Sequence, residues 1–297
     1  MIVRRPLALA VLWLAFAPRA ALAEDGVVLA AGDIAGRGRG KELTAKILDA
    51  NPTGIVLTLG DNAYNAGTLS QFDSLYRPTW GRHVARTFPS VGNHDYDTPG
   101  GKGYDTFFRS RVGHPIGDRG KHWYSFDYAG WHFVALNSNC KEVSCGAGGE
   151  QATWFDADLS AHDVDCALVF WHHPRFSSGV AHGSSIATQA LYEVAHRHGV
   201  DLILSGHDHD YERFAPQDAY GKADPTGPTE FVVGTGGGAP RGMGPLEPNS
   251  VTSAGKVFGV LRLTLHPQSY EWKFLPADGY AYSDAGSASC VGPRSSP

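Results

Sequence analysis

The chain is poor in cysteine, with four in 297 residues, and no two of them form a CxxC pair. A zinc site built on cysteine pairs is therefore disfavoured, because such sites need closely spaced thiolates. Basic residues are also outnumbered, since the formal net charge is −5. This balance argues against broad binding to nucleic acids or anionic membranes. It does not exclude a phosphate ester, because bound cations would dominate the local field.

A nucleotide-binding loop is missing as well. Gly36–Lys41 reads GRGRGK, but no Ser or Thr follows the lysine and the full spacing is absent, which excludes a nucleoside triphosphate site. Arg37 and Arg39 can still attract anions. Gly234–Gly238 reads GTGGG and fits either an anion-binding nest or a turn that allows close backbone approach. The chain shows no internal repeat, low-complexity tract or coiled-coil pattern.

The first apolar stretch, Leu7–Ala17, follows a pair of arginines and is too short to span a membrane comfortably. Together with the small-x-small pattern Ala21–Ala23, it predicts a signal peptide over 1–23 and a single catalytic domain over 24–297. Its removal takes away three arginines and no acids, which moves the formal net charge from −5 to −8. The expected location is secreted or periplasmic, with no membrane span in the mature chain, and the arginine pair hints at twin-arginine export.

An even number of cysteines in an exported chain predicts disulfide bonds. Cys140 and Cys145 are near enough in sequence to close a short loop, and Cys166 and Cys290 remain. Three pairings are possible in principle. We predict Cys140–Cys145 and Cys166–Cys290, the second of which would tie the C-terminal tail to a buried strand.

Strands and helices alternate in the first half, and the tail is β only, which predicts two packed sheets with helices outside. The strands are expected at Val27–Ala31, Ile55–Leu59, Thr87–Val91, Trp123–Tyr128, Trp131–Leu136, Ala167–Trp171, Leu202–Leu204, Glu230–Val233, Val257–Leu265 and Tyr270–Leu275. The helices are expected at Lys41–Ala50, Leu69–Trp80, Tyr104–Arg111, Glu150–Ser160 and Ser184–His198. Gly- and Pro-rich loops at Ala215–Thr229 and Gly236–Val251 are expected to rim the site.

Five apolar runs each end on a residue type that binds metal ions. Ligand sites in open α/β sheets form at the carboxyl ends of strands. Taken alone, Asp33 or Asn93 would fit a turn and Tyr64 a packed aromatic, so the interpretation depends on their joint occurrence. About seven convergent ligands are too many for one tetrahedral zinc and suit two ions that share a bridge. The candidates are Asp33, Asp61, Tyr64, Asn93, His172, His207 and His209.

Asp61 is the candidate bridge, because one carboxylate can bind two cations and such a pair can clamp the attacking and leaving oxygens of a displacement. Alternate residues past a strand end point the same way, so His207 and His209 should each face one ion while Asp208 points away. One ion would then take Asp33, Tyr64 and His209, and the other Asn93, His172 and His207.

The ordered motifs GD, GDNAY, GNHD, H and GHDH, which span Asp33–Arg213, resemble those of the calcineurin-like metallophosphoesterases. Tyr64, three residues after Asp61, and GHDHDYER at Gly206–Arg213 resemble the purple acid phosphatase branch in particular. The resemblance implies an α/β (α+β) fold, a four-layer α-β-β-α sandwich of two mixed sheets. It also implies Fe(III) in the tyrosine-containing site, a divalent ion (Fe, Zn or Mn) in the other, and His94 as the residue that stabilises the transition state or protonates the leaving group.

Ala35 stands where many relatives outside the purple branch have a ligand histidine, and it cannot coordinate a metal. The phenolate of Tyr64 would supply the missing ligand, and a hard anionic oxygen favours Fe(III) over Zn(II). The purple branch usually reads GDxG here, whereas this chain has its glycine displaced to Gly36. Two further histidines, His173 and His182, are candidates for contact with substrate.

These residues predict an exported binuclear-metal phosphatase that hydrolyses small phosphate monoesters by in-line attack of a metal-bound hydroxide, with His94 assisting departure of the alcohol. A phosphodiesterase or nucleotidase using the same site is an alternative. A non-catalytic envelope protein that binds metal or phosphate is an alternative of another class.

Overall fold

The computed structural model describes residues 25–162 and 164–292, so the predicted signal segment, residues 1–23, lies outside the described residues. In these two ranges, none of the helices combines the length and the apolar character needed to cross a membrane. The strands are β1 (Gly26–Ala31), β2 (Ile55–Leu59), β3 (Thr87–Ser90), β4 (Tyr124–Tyr128), β5 (Trp131–Ala135), β6 (Ala167–Phe170), β7 (Leu202–Ser205), β8 (Asp210–Phe214), β9 (Thr229–Val233), β10 (Ser250–Gly255), β11 (Gly259–His266), β12 (Ser269–Pro276) and β13 (Ala285–Ser289). The helices are α1 (Gly40–Ala50), α2 (Leu69–Gln71), α3 (Asn93–Tyr96), α4 (Lys102–Phe108), α5 (Glu150–Ala161) and α6 (Gln189–Arg197).

The strands form two mixed sheets. The first has the order β13-β12-β11-β1-β2-β3, in which β1, β2 and β3 are parallel and β11 runs antiparallel to β1. The second has the order β10-β8-β9-β7-β6-β5-β4, with a parallel centre of β5, β6, β7 and β9. The parallel strands of each sheet therefore bring their carboxyl ends to one edge, where ligand sites form.

Alternating side chains on the second sheet supply two separate cores. Phe133 and Leu168 join the hydrophobic cluster that also contains the first sheet. Their neighbours Val134 and Val169 point to the opposite face and pack with Phe155 of α5. Because side chains alternate along a strand, one sheet can be covered on both faces. This arrangement confirms the expected sandwich of two mixed sheets with helices outside.

The helix predicted over Leu69–Trp80 is wrong as a continuous element. Helix α2 has three residues, a π-helical turn follows at Phe72–Tyr76, and Trp80 opens a 3-10 helix that ends at Arg86. Pro78 explains the break, because proline has no N–H and its ring clashes with the preceding turn. The helix predicted over Ser184–His198 likewise begins later, at Gln189.

Three strands were not predicted: β8, β10 and β13. Strands β10 and β13 are the outer strands of their sheets and read SVTSAG and AGSAS. Small and polar residues give no apolar alternation, so their pairing comes from backbone hydrogen bonds to a neighbouring strand rather than from a buried face.

Both predicted disulfides are present. Cys140–Cys145 closes a loop with a sequence separation of 5, and Cys166–Cys290 has a separation of 124. Cys166 precedes β6 in the second sheet, whereas Cys290 follows β13 at the edge of the first. The longer disulfide therefore links the two sheets covalently.

Candidate metal centre

The candidate ligands lie just past the ends of parallel strands in both sheets. Asp33 and Asp61 each follow their strand, β1 or β2, by two residues, and His172 and His207 follow β6 and β7 by the same interval. Asn93 begins α3, shortly after β3. Because β1, β2 and β3 adjoin in one sheet and β6 and β7 in the other, the ligands meet where the carboxyl ends of the two sheets converge.

The backbone turns sharply at three of these residues. Asp33, Asp61 and His207 have positive φ values of 59°, 49° and 72°, which non-glycine residues seldom adopt. Each such conformation costs about 1–3 kcal/mol and persists where surrounding contacts hold it. The Asp33 N–H donates to Gly60 O at 3.0 Å, and the His207 N–H donates to Asp33 Oδ2 at 2.7 Å. These bonds direct the side chains toward one another.

The first donor group surrounds the phenol oxygen of Tyr64. That oxygen lies 2.8 Å from Asp33 Oδ1, 3.1 Å from Asp61 Oδ2 and 3.0 Å from His209 Nε2. The other ring nitrogen of His209, Nδ1, lies 2.7 Å from Ala239 O, so the carbonyl fixes Nε2 toward the group. Three oxygens and one imidazole nitrogen form a hard donor set, as a trivalent ion prefers.

The second donor group surrounds His172 Nε2. This atom lies 3.1 Å from Asn93 Oδ1, 3.2 Å from His207 Nδ1 and 3.4 Å from Asp61 Oδ1. His172 Nδ1 is 2.7 Å from Leu59 O, which orients the ring. Asp61 therefore places one oxygen in each group, which is the arrangement of a bridging carboxylate.

The charges in the centre depend on one another. Burial acts to raise the pKa of Asp61, but the charge of His172 holds it below its ordinary value. Burial likewise acts to lower the pKa of His172, and Asp61 raises it to about 9. Burial raises the pKa of Tyr64 well above its ordinary value, and Asp33 and Asp61 raise it further. The buried carboxylates of Asp61 and Asp33 thus favour the protonated form of His172. A metal cation can take the place of that proton, so the residues fit a pair of metal ions.

His94 lies at the margin of the centre. Its backbone N–H donates to Asp61 Oδ1 at 2.8 Å. Its ring Nδ1 is 2.6 Å from Asn65 O and 3.1 Å from Asp97 Oδ2, and Nε2 lies 3.9 Å from Asp61 Oδ2. The side chain is 36% exposed. Nε2 can therefore exchange a proton with a group at the centre while Nδ1 is held by acceptors.

The two further histidines also lie beside the centre. His173 Nδ1 is 2.8 Å from the hydroxyl of Ser138, and burial lowers the pKa of His173 to about 3. One ligand atom from each of His172, His173 and His207 can lie within 4.8 Å of the others. The His182 ring stacks on His207 at a centroid distance of 4.0 Å. The structure thus brings every sequence-predicted site residue to one place.

Asp208 has a role that sequence reasoning missed. It points away from the donor groups, as expected, and binds the loop that carries His182. Asp208 accepts hydrogen bonds from the backbone N–H groups of His182 and Gly183 and from the hydroxyl of Ser177, at 3.1, 2.9 and 2.6 Å. The sequence did offer a signal for this role. An acidic residue between two ligands is itself buried here, and a buried carboxylate requires hydrogen-bond partners.

Two cavities flank the centre. One, of about 520 Å³, has Asn93, His173 and His207 in its wall. The other, of about 580 Å³, is lined by His94, by His209 and by part of the predicted rim loop Gly236–Val251. The second predicted rim loop, Ala215–Thr229, lines neither cavity.

A family model for calcineurin-like phosphoesterases matches residues 20–211. The chain is 28% identical to purple acid phosphatase 15 of Arabidopsis thaliana over 219 residues, covering 63% of this chain and 40% of that protein. It is 34% identical to purple acid phosphatase 21 of the same plant over 192 residues, covering 58% and 42%. The chain thus matches about two fifths of the length of these relatives. A more distant relative, 26% identical over 250 residues (73% of this chain and 40% of that protein), bears the name probable inactive purple acid phosphatase 1.

Among solved structures, the purple acid phosphatase PPD1 from seeds of yellow lupin (Lupinus luteus) has the same fold. Its TM-score is 0.77 at 22% identity, and the match covers 90% of this chain and 54% of that one. The family match covers well over half of the chain, and its residues include all the candidate ligands. The chain belongs to the calcineurin-like phosphoesterase family.

Proposed function

We propose that this chain is an extracytoplasmic, binuclear metal-dependent phosphatase that hydrolyses phosphate monoesters. The observation that carries the proposal is the position of Asp61. Its two carboxylate oxygens enter two separate donor groups, at 3.1 Å from the Tyr64 phenol oxygen and 3.4 Å from His172 Nε2. The similarity to purple acid phosphatases 15 and 21 supports phosphoester chemistry at this centre.

The two donor groups suit different ions. Asp33, Tyr64 and His209 offer a hard, anionic set for Fe(III), because both oxygens can be negatively charged when metal is bound. Asn93, His172 and His207 offer a neutral amide and two imidazoles, which suit a divalent Fe, Zn or Mn ion. When bound, such a pair supplies positive charge to the phosphoryl oxygens and lowers the pKa of a water molecule.

The protein's own side chains would complete the reaction. Asp61 keeps the two donor groups next to each other, because one of its carboxylate oxygens lies in each group. Its Oδ1 also accepts a hydrogen bond from the backbone N–H of His94. With Nδ1 held by Asn65 O and Asp97, Nε2 of a protonated His94 can donate to the oxygen of the departing alcohol. His173 and His182, which flank His207, are placed to contact the phosphoryl group.

Metal analysis combined with substituted chains tests this proposal. The purified protein should contain two metal ions and turn over an aryl phosphate monoester faster than the bis-aryl diester. Asp61→Ala should lose both ions and nearly all activity. Asp156→Ala is the control, because Asp156 also pairs with a histidine, His198, but lies outside the centre. Normal metal content in Asp61→Ala would refute the bridge.

Substitution of His94 separates catalysis from metal binding. His94→Ala should keep both ions and lose about 10²–10⁴-fold in kcat, the usual contribution of a general acid. Loss of metal on this change would show that His94 coordinates. Faster turnover of the diester would assign the centre to a phosphodiesterase, and a fully metallated wild type without turnover would indicate a binding protein.

A further inference from the structure

We infer that the cavity beside His94 is a second anion site, and that the preferred substrate is a phosphate monoester whose leaving group carries its own carboxylate or phosphate. The inference rests on the proposed function in one respect: the molecule that occupies the cavity is identified as a leaving group because the chain is proposed to be a phosphatase. Three arginines of the cavity wall carry it: Arg37 and Arg39 from the GRGRGK segment, and Arg241 from the loop after the GTGGG segment.

The backbone around these arginines is fixed. The Gly238 N–H donates to Asp33 O at 2.5 Å, and the Arg241 N–H donates to His209 O at 2.9 Å. Gly36 packs closely on the same loop, since a Cβ atom there would lie 3.3 Å from Gly237 O. The two glycine-rich segments therefore meet beside the metal centre and hold the arginines on a rigid frame, which lowers the entropic cost of binding.

Within residues 25–162 and 164–292, none of the three guanidinium groups forms a salt bridge with a carboxylate. All three arginines are exposed. Several other arginines of this acidic chain are paired with a carboxylate, for example Arg82 with Asp49 and Arg213 with Asp284. Unpaired charges of one sign around one cavity create a local positive potential despite the net charge of −5. Such a potential attracts an anion.

The position of His94 identifies the occupant. His94 lines the same cavity as the arginines, and as the general acid it must lie next to the oxygen of the departing alcohol. A leaving group at that oxygen extends into the cavity, which at about 580 Å³ can hold a small organic molecule. The opposite cavity contains Lys141 together with the acids Asp97 and Glu142, so its charges offset one another.

Binding of non-hydrolysable phosphonates tests the site independently of turnover. We would measure Kd by calorimetry on the metal-loaded protein for 4-carboxyphenylphosphonate and for its carboxamide, which has similar size but no second charge. The carboxylate should bind about tenfold more tightly in low salt, as expected from up to three exposed charge pairs. This ratio should fall toward one in 1 M NaCl, where charges are screened within about 3 Å. A 1,4-phenylene bisphosphonate arm shows whether phosphoryl is preferred to carboxylate.

The variant Arg37→Gln/Arg39→Gln/Arg241→Gln should reduce the ratio of the two Kd values to about one. The control is Arg77→Gln, which removes one exposed charge paired with Asp73 on a surface turn, and it should keep the wild-type ratio. Equal Kd values in the wild type, or a ratio unchanged in the triple variant, would overturn the second anion site. Phenyl phosphate turnover, measured separately, tests the proposed function. Turnover with equal Kd values refutes only the anion site. Unequal Kd values without turnover refute the phosphatase, and with it the identity of the occupant as a leaving group, but leave the anion site standing.

Discussion

Removal of the Cys166–Cys290 disulfide should destabilise the protein far more than removal of Cys140–Cys145. A cross-link restricts the unfolded chain, and the entropy removed grows with the length of the closed loop. For the sequence separation of 124, this relation gives about 5 kcal/mol of unfolding free energy, and for the separation of 5 about 2 kcal/mol. The long bridge also joins the edge of one sheet to a strand of the other.

The comparison uses two double variants, Cys166→Ala/Cys290→Ala and Cys140→Ala/Cys145→Ala, under oxidising conditions. Urea unfolding followed by tryptophan fluorescence and by circular dichroism should give coincident transitions in both, which allows free energies to be compared. In the first variant the Asp201 carboxylate still accepts hydrogen bonds from the backbone N–H groups of Ala167 and Val291, the residues that follow the two cysteines. The two segments therefore remain in contact in the folded state.

We expect the first variant to lose about 3 kcal/mol more than the second, the difference between the two loop terms. Cys140 lines the cavity beside His207, so the second variant should also alter the kinetics of turnover. Equal losses in the two variants, or a larger loss from the short bridge, would refute loop closure as the origin of the effect.

Other changes address the centre and the buried acids. In the iron-loaded wild type, phenolate-to-Fe(III) charge transfer should give a visible band and activity should peak below neutral pH. Tyr64→Phe should bleach the colour with an unchanged circular dichroism spectrum, and a colourless, fully active enzyme with an alkaline optimum would rule out the trivalent site. Asp208→Asn should raise KM more than it lowers kcat at constant metal content, because it loosens the His182 loop; metal loss would contradict this. Burial raises the pKa of Glu230 to about 8, so the folded state binds more protons than the unfolded state between about pH 5 and 8. Glu230 alone should therefore lower the stability by at most about 1.4 kcal/mol per pH unit over that window, and Glu230→Gln should make the slope measured in urea titrations shallower by up to that amount; equal slopes would show that Glu230 is ionised when folded.

The ligands could be predicted from the sequence because their positions are set locally. Asp33, Asp61, His172 and His207 each follow a buried strand by two residues, so an apolar run followed by a polar residue is enough to find them. The first sheet is predictable for the same reason, since β1 and β2 consist of apolar residues that need a covered face.

Other features depend on contacts between distant parts of the chain. The role of Asp208 comes from Ser177 and Gly183, which only the fold brings near. Strand β13, at the sheet edge, has no apolar pattern of its own and is formed by pairing with β12. The convergence of the GRGRGK and GTGGG segments on one cavity was likewise invisible, because about 200 residues and most of both sheets separate them.

The left-handed turns at Asp33 and Asp61 have an evolutionary consequence. Both acids hold loop backbone locally, at the N–H groups of His207 and His94, whereas the hydrophobic clusters that hold the sheets together are built from other residues. Glycine at either position would relieve about 1 kcal/mol of backbone strain. A lineage released from selection for hydrolysis would therefore drift toward loss of these acids while its architecture persisted. In such a lineage the residue at each turn, rather than the shape of the molecule, would record whether a descendant still carries out chemistry.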